Sequence, residues 1–135
     1  MAVYTPVNEQ TLTAILAQYP LGELTGYEGI LTGIENTNYF VNTTVGKYVL
    51  TLYEEAGQDE ILQVVGIMGF LAQHNLPSPH PQTTLKGETL IGVYDKPATL
   101  VERLPGASEI NPSPLQCASV GQNLGRAHRG GRGYP

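Results

Sequence analysis

The sequence contains few of the residues that mark several common protein classes. Cys117 is its only cysteine, which excludes an internal disulfide and a zinc site built from cysteines. The sequence has seven Lys and Arg residues and twelve Asp and Glu residues, and its formal net charge is −5. Nucleic-acid-binding proteins carry basic stripes, and this sequence has none. We therefore expect no nucleic-acid partner.

Long apolar runs are also missing. The longest run falls far short of the roughly 20 residues that cross a bilayer, so we expect no membrane partner. The opening Met-Ala-Val-Tyr-Thr-Pro has neither the basic region nor the apolar core of a signal peptide. A soluble, cytoplasmic protein is expected. The length of 135 residues fits one domain or a piece of one.

The spacing of apolar residues predicts an α+β fold. Three segments repeat apolar residues with a helical period, and five short segments rich in Val, Ile, Tyr, Phe, Thr and Leu have strand character. The helices are predicted over 9–19, 59–74 and 114–128, and the strands over 27–32, 38–42, 47–53, 89–93 and 98–104. Asn8 and Ser113 are the predicted N-caps of the first and third helices. This order predicts a five-stranded antiparallel sheet with one long helix packed against it.

The turn between the first two strands is unusually polar. It contains Gly33, Glu35, Asn36, Thr37 and Asn38. Such a turn can lay backbone N–H groups over a phosphate chain, as the glycine-rich loop of kinases does. The alternative is a plain turn whose side chains satisfy their own backbone. The turn chemistry alone leaves both interpretations open.

Several motifs in the same order resemble the start of bacterial type II homoserine kinases, which belong to the aminoglycoside phosphotransferase and choline kinase group. The motifs are Gly33-Ile-Glu-Asn-Thr-Asn-Tyr-Phe-Val, Tyr48-Val-Leu-Thr-Leu-Tyr-Glu, Leu76-Pro-Ser-Pro, Lys96-Pro-Ala-Thr-Leu, Leu104-Pro-Gly and the helix that ends near His128. The resemblance runs from residue 1 to about residue 128. It implies ATP-dependent phosphorylation of the L-homoserine hydroxyl, a step towards threonine, with ATP and Mg²⁺ as cofactors.

The resemblance also implies which part of the chain forms which lobe. Residues 1–104 would form a kinase-like small lobe that binds the nucleotide, and residues 105–135 a linker and the first helix of a large lobe. The nucleotide would lie between the 33–39 loop and the linker Val101-Glu102-Arg103-Leu104, whose backbone would hold the adenine edge. Thr51 occupies the strand position where most relatives carry a phosphate-binding lysine, and its hydroxyl cannot supply that charge. Glu60 is then an acidic first-turn residue that suits the helix dipole, rather than the partner of a strand lysine.

The sequence departs from the family after residue 128. Kinases of this group place a catalytic Asp, in a His-x-Asp-x-x-x-x-Asn loop, and a metal-binding Asp further downstream. Neither motif occurs in the printed sequence. We therefore expect no catalytic residue and no metal ligand in this chain, an inactive fragment, and self-association through an exposed apolar helix face. A choline, ethanolamine or aminoglycoside phosphotransferase, or a non-catalytic nucleotide-binding module, are the alternatives.

Overall fold

The structure is a computed structural model that describes residues 3–135. Three helices and five strands form it in the order that the sequence predicts. They are α1 (Glu9–Leu16), β1 (Leu24–Gly29), β2 (Thr37–Thr43), β3 (Lys47–Leu52), α2 (Gln58–Gln73), β4 (Leu90–Val93), β5 (Lys96–Glu102) and α3 (Pro114–Gly131). Asn8 and Ser113 cap α1 and α3 through their side chains, as predicted.

All five strands join one antiparallel sheet in the order β1-β2-β3-β5-β4. The predicted α+β layer is therefore confirmed. The strand order was not part of the prediction, and it places β5 directly beside β3. The end of β5, where the predicted linker begins, consequently lies next to the middle of the sheet.

Several predicted boundaries were wrong by two or three residues. α1 ends at Leu16 instead of residue 19, because Gln18 and Tyr19 donate to carbonyls three residues back and tighten the last turn. β1 runs from residue 24 to 29, not 27 to 32. β5 begins at Lys96 because the hairpin needs only Tyr94 and Asp95, both at positive φ.

The two faces of the sheet differ in burial. On one face Tyr39, Val41, Leu50 and Leu52 pack with the apolar side of α1 and form the core. Leu50 and Leu52 are completely buried. Because successive strand residues point to opposite faces, their neighbours lie on the other face, where they are only partly covered. That second face carries Asn38, Phe40, Val49, Thr51 and Val101.

Helix α2 contributes no residue to the core cluster on the α1 side. Its own buried residues are Ile61, Val65 and Ala72. The segment after α2 then returns to the sheet, where Pro81 forms a bridge with Val101 of β5. This return ties the end of α2 to the strand that leads into the linker.

Helix α3 has no buried residue, although its cap is well formed. Ser113 and Gln116 make a complete capping box. Leu115, Val120 and Leu124 are 81%, 67% and 54% exposed. The exposure agrees with the predicted uncovered apolar side of this helix. None of the described helices is both long and apolar enough to cross a membrane.

Candidate functional site

The loop between β1 and β2 is held at two points. The hydroxyl of Tyr4 donates to the carbonyl oxygen of Ile34 over 2.8 Å. The side-chain oxygen of Asn36 accepts from the backbone N–H of Glu54 over 3.3 Å. Ile34 itself is 84% exposed and Glu35 is also exposed, so the tip of the loop faces solvent while its base is fixed.

Thr37 lies at the base of the loop and is completely buried. Its Oγ1 accepts from the backbone N–H groups of Tyr4 and Thr5 over 2.9 and 3.0 Å. It donates to Oε1 of Glu54 over 2.6 Å. A hydroxyl has one hydrogen and two lone pairs, so all of its capacity is used. The side chain of Thr37 therefore positions the loop and has no free group for a ligand.

Glu54 is the centre of a charged cluster just past the end of β3. Its Oε1 also accepts from the Thr5 hydroxyl over 2.8 Å, and its Oε2 pairs with Nζ of Lys96. Lys96 donates to Thr5 over 2.8 Å as well. Burial opposes ionisation of Glu54, but the hydrogen bonds from Lys96, Thr37 and Thr5 outweigh it and lower the pKa of the carboxyl group. Glu54 is thus a fixed anion, with its side chain 12% exposed.

The two polar residues on the second face of the sheet also bond to each other. Asn38 and Thr51 are directly opposite on β2 and β3. The Thr51 hydroxyl donates to the Asn38 side chain over 2.7 Å, and that side chain donates to the carbonyl of Asn36 over 3.3 Å. The local side-chain bonds that the turn interpretation requires are therefore present at Asn36, Thr37 and Asn38.

Beside these polar residues the second face is flat and apolar. Phe40, Val49 and Val101 are aligned across β2, β3 and β5, and each is partly exposed. The guanidinium carbon of Arg103 lies 3.7 Å from the centre of the Phe40 ring, a cation–π contact. A planar ligand would find a surface for stacking here.

The linker backbone is already paired on one side. The N–H of Glu102 donates to the carbonyl of His80 over 2.9 Å, and the carbonyl of Leu100 accepts from the N–H of Gln82 over 2.8 Å. These bonds form the Pro81–Val101 bridge. Glu102 is directly opposite Tyr48 in the register of β3 and β5, so its side chain lies on the core face, away from the apolar surface. Burial and the charge of Glu102 raise the pKa of Tyr48.

An acceptor and a donor of the linker backbone remain available. The N–H of Arg103 donates to the carbonyl of Lys47 over 3.0 Å. In an antiparallel ladder the backbone groups of alternate residues turn to opposite sides, so those of Glu102 turn away from β3. Among the hydrogen bonds of residues 3–135, none uses the carbonyl of Glu102 or the N–H of Leu104. The carbonyls of Arg103 and Leu104 are likewise unused among these residues. The Glu102 carbonyl and the Leu104 N–H are an acceptor and a donor two residues apart.

A cleft of about 830 Å³ lies between the loop, the end of β3 and the start of α2. Four carboxylate residues line it, and no Lys or Arg does. They are Glu35, Glu54, Glu55 and Glu60. Across the described part of the chain the only ion pair joins Lys96 and Glu54, so Glu60 pairs with no lysine there. This agrees with its interpretation as an acidic first-turn residue.

Metal ligands are not gathered in this region. Within residues 3–135 no group of three His, Cys, Asp or Glu side chains is placed to hold an ion.

The model of the phosphotransferase enzyme family matches residues 26–134, and the chain belongs to that family. It is 42% identical to the homoserine kinase of Methylobacillus glycogenes over 134 residues, which are 99% of this chain and 42% of that protein. It is 40% identical to the homoserine kinase of Caulobacter sp. (strain K31) over 136 residues, 100% of this chain and 42% of that protein. The chain thus spans about two fifths of the length of these curated relatives.

Two solved kinase structures share the fold. The amicoumacin kinase hAmiN, in complex with AMP-PNP, Ca²⁺ and Ami, matches 96% of this chain and 41% of its own, with a TM-score of 0.77 and 18% identity. The spectinomycin phosphotransferase APH(9)-Ia, in complex with ADP and spectinomycin, matches 74% of this chain and 30% of its own, with a TM-score of 0.59 and 16% identity. The predicted kinase-like small lobe is therefore confirmed at the level of the fold.

The depressed pKa of Glu54 gives a prediction for stability against pH. A carboxyl whose folded-state pKa is lowered stabilises the fold above its ordinary pKa, near 4.5, and that contribution is lost as the pH falls through the folded-state value. We expect Glu54→Gln to lower the free energy of unfolding by about 1–2 kcal/mol at pH 7, because Lys96 is partly exposed and its pairing is screened. The difference from the unsubstituted chain should narrow below pH 4.5.

Urea unfolding at several pH values measures this difference. The neighbouring Glu55→Gln is the matched control, because it removes one negative charge from the same cleft and Glu55 makes no side-chain hydrogen bond among the described residues. A Glu54→Gln difference that stays constant from pH 7 to pH 3 would contradict the assignment.

Proposed function

We propose that this chain is the nucleotide-binding part of a cytoplasmic homoserine kinase, which transfers the γ-phosphoryl group of ATP to the side-chain hydroxyl of L-homoserine. The observation that carries the proposal is identity of 42% and 40% to two homoserine kinases over essentially the whole chain. Residues 1–104 are the nucleotide-binding lobe in this proposal. Residues 105–135 supply a second connecting segment, which follows Leu104, and the first helix of the second lobe. The exposure of α3 agrees with this assignment.

The adenine is proposed to stack on the surface formed by Phe40, Val49 and Val101. Its amino group would donate to the carbonyl of Glu102, and its ring nitrogen would accept from the N–H of Leu104. These are the linker groups that no described residue occupies. Val101 contributes its side chain only, because its backbone faces β3. The Arg103 guanidinium, now on the Phe40 ring, would shift or cover the base.

The phosphates are proposed to lie under the loop that starts at Gly33. Its backbone N–H groups would face the phosphates. Glu35 lies at the solvent-facing tip, and the Asn36 side chain, whose oxygen accepts from Glu54, has its NH₂ group left to donate. Thr37 and Asn38 hold the loop through the bonds described above, and Thr51 offers a hydroxyl without charge. The described residues do not fit Mg²⁺ as a resident ion, since no three ligands come together, and we assign its coordination to none of them.

A chimaera tests the function. We expect the 135-residue polypeptide alone to show no ADP release with homoserine and Mg²⁺, because its sequence holds no His-x-Asp-x-x-x-x-Asn loop and phosphoryl transfer depends on positioned charges. Fused in place of the matched stretch of the Methylobacillus glycogenes homoserine kinase, the chain should restore homoserine-dependent turnover of the ordinary kinase range, on the order of 1 per second or more.

The control is that relative with the matched stretch deleted, which should be inactive. A chimaera that folds, with unchanged secondary structure and a cooperative unfolding transition, yet phosphorylates no homoserine would reject the proposed function. Turnover by the 135-residue polypeptide alone would reject the assignment of catalysis to residues outside it.

We also propose that the polypeptide associates with itself through α3, since exposed apolar patches favour association. Val120 and Leu124 lie one turn apart on the exposed side. The double variant V120S/L124S should shift the mass measured by light scattering towards the monomer. The matched control is V45S, at a residue that is 63% exposed in the β2–β3 turn. Only weak association escapes detection at a chain concentration of about 100 µM. If the unsubstituted chain is a monomer at that concentration, the proposal is contradicted.

A further inference from the structure

The 31–36 loop has few fixed points of its own. The β1–β2 pairing ends with the N–H of Ile30 donating to the carbonyl of Asn38 over 2.9 Å. Beyond that bond, the loop is fastened through the carbonyl of Ile34 and the side chain and carbonyl of Asn36. Its position therefore depends on the groups that supply those partners.

Glu54 supplies partners through both its backbone and its side chain. Its N–H holds Asn36, and its carboxylate holds the buried hydroxyl of Thr37 at the base of the loop. Lys96, at the start of β5, keeps the carboxylate in place from the other side. Three strands of the sheet thus meet at one side chain.

The N-terminal segment completes the same arrangement. The backbone N–H groups of Tyr4 and Thr5 both donate to Thr37, and the Thr5 hydroxyl donates to Glu54. The Tyr4 hydroxyl reaches forward to the carbonyl of Ile34. The segment therefore forms hydrogen bonds to the loop near its tip and at its base.

We infer that Glu54 is a positioning residue for the 31–36 loop, and that with Thr37 and the Tyr4–Thr5 segment it forms a clasp that sets the loop over the phosphate site. The consequence for phosphate rests on the proposed function, but the clasp itself does not. Glu54 does not touch the ligand in this scheme. It acts through Asn36 and Thr37, whose positions decide where the loop backbone points.

Glu54 holds the 31–36 loop in its ionised form. Its two oxygens accept hydrogen bonds from Thr5 and Thr37 and pair with Lys96, and a protonated carboxyl would lose acceptor capacity. The charged groups that face it are Lys96 on β5 and the carboxylates of Glu35, Glu55 and Glu60 around the cleft. Those carboxylates repel Glu54, so the pairing with Lys96 and the hydrogen bonds from Thr37 and Thr5 keep it ionised.

Amide hydrogen exchange tests the clasp without any ligand. The amides of Tyr4, Thr5 and Glu54 are the donors that it engages. Glu54→Gln should speed their exchange about tenfold or more, the size expected for loss of hydrogen bonds to a charged group. The exchange rates of the core amides of Leu50 and Leu100 should change only as much as the altered free energy of global unfolding requires. Thr37→Ser, which retains the hydroxyl, should preserve protection.

A milder variant guards against loss of folding. Tyr4→Phe removes only the bond to Ile34 and should free the loop tip while the amides of Tyr4 and Thr5 stay protected. Tyr94→Phe is the matched control, because Tyr94 is equally exposed, at 51%, and its hydroxyl bonds to Thr11 away from the loop. Unchanged exchange at Tyr4, Thr5 and Glu54 in Glu54→Gln would overturn the inference.

A titration with MgATP, followed by amide chemical shifts, separates the clasp from the proposed function. In the unsubstituted chain both the 33–36 amides and the Leu104 amide should respond. In Glu54→Gln and Tyr4→Phe the response at 33–36 should fall at least several-fold, while that of Leu104 remains, a split that general destabilisation does not produce. An unchanged loop response would overturn the positioning role. No response anywhere in the unsubstituted chain would reject the proposed function, and the exchange data would still decide the clasp.

Discussion

The pairing of β5 on both of its edges determines what the rest of this molecule can do. β3 pairs with one edge of the strand, and β4, followed by the segment around Pro81, pairs with the other. Because these partners engage the groups of Leu100 and Val101 and the N–H of Glu102, the carbonyl of Glu102 and, two residues further on, the N–H of Leu104 are left without a partner among residues 3–135. Those two groups are adjacent to the apolar surface around Phe40. A surface for a planar ring and a hydrogen-bonding edge are thereby brought together.

The charged cluster around Glu54 complements that pairing at the other end of β3. Lys96 begins β5 and Glu54 follows β3, so the same strand pair that places the linker also brings these two residues together. The cluster leaves the adjoining cleft rich in carboxylates. In the proposed function an anionic phosphate chain would gain nothing from that cleft directly, so we place it against the backbone of the loop.

Local signals in the sequence were sufficient where the structure is local. Ser113 and Asn8 were predicted as caps because a cap depends on residues three positions away. The contacts of Glu54 with Lys96 and Thr5 were missed. These residues lie 42 and 49 positions from Glu54, and no local sequence pattern indicates such a contact. The same holds for the fully buried Thr37, which the loop motif presents as a ligand-facing residue. No observation tests the predicted nucleotide contacts, which stay predictions for the linker and for Gly33, Glu35, Asn36, Thr37, Asn38 and Thr51.

We propose that the base lies against Phe40 with its edge on Glu102 and Leu104. A comparison of MgATP with MgITP tests it most directly, because inosine presents a ring N–H and a carbonyl where adenine presents a ring nitrogen and an amino group. Amide shift titrations should show MgATP binding with a dissociation constant on the order of millimolar, a shift of the Leu104 amide, and clearly weaker binding of MgITP. Equal binding of the two nucleotides, or an unmoved Leu104 amide at saturation, would contradict the account.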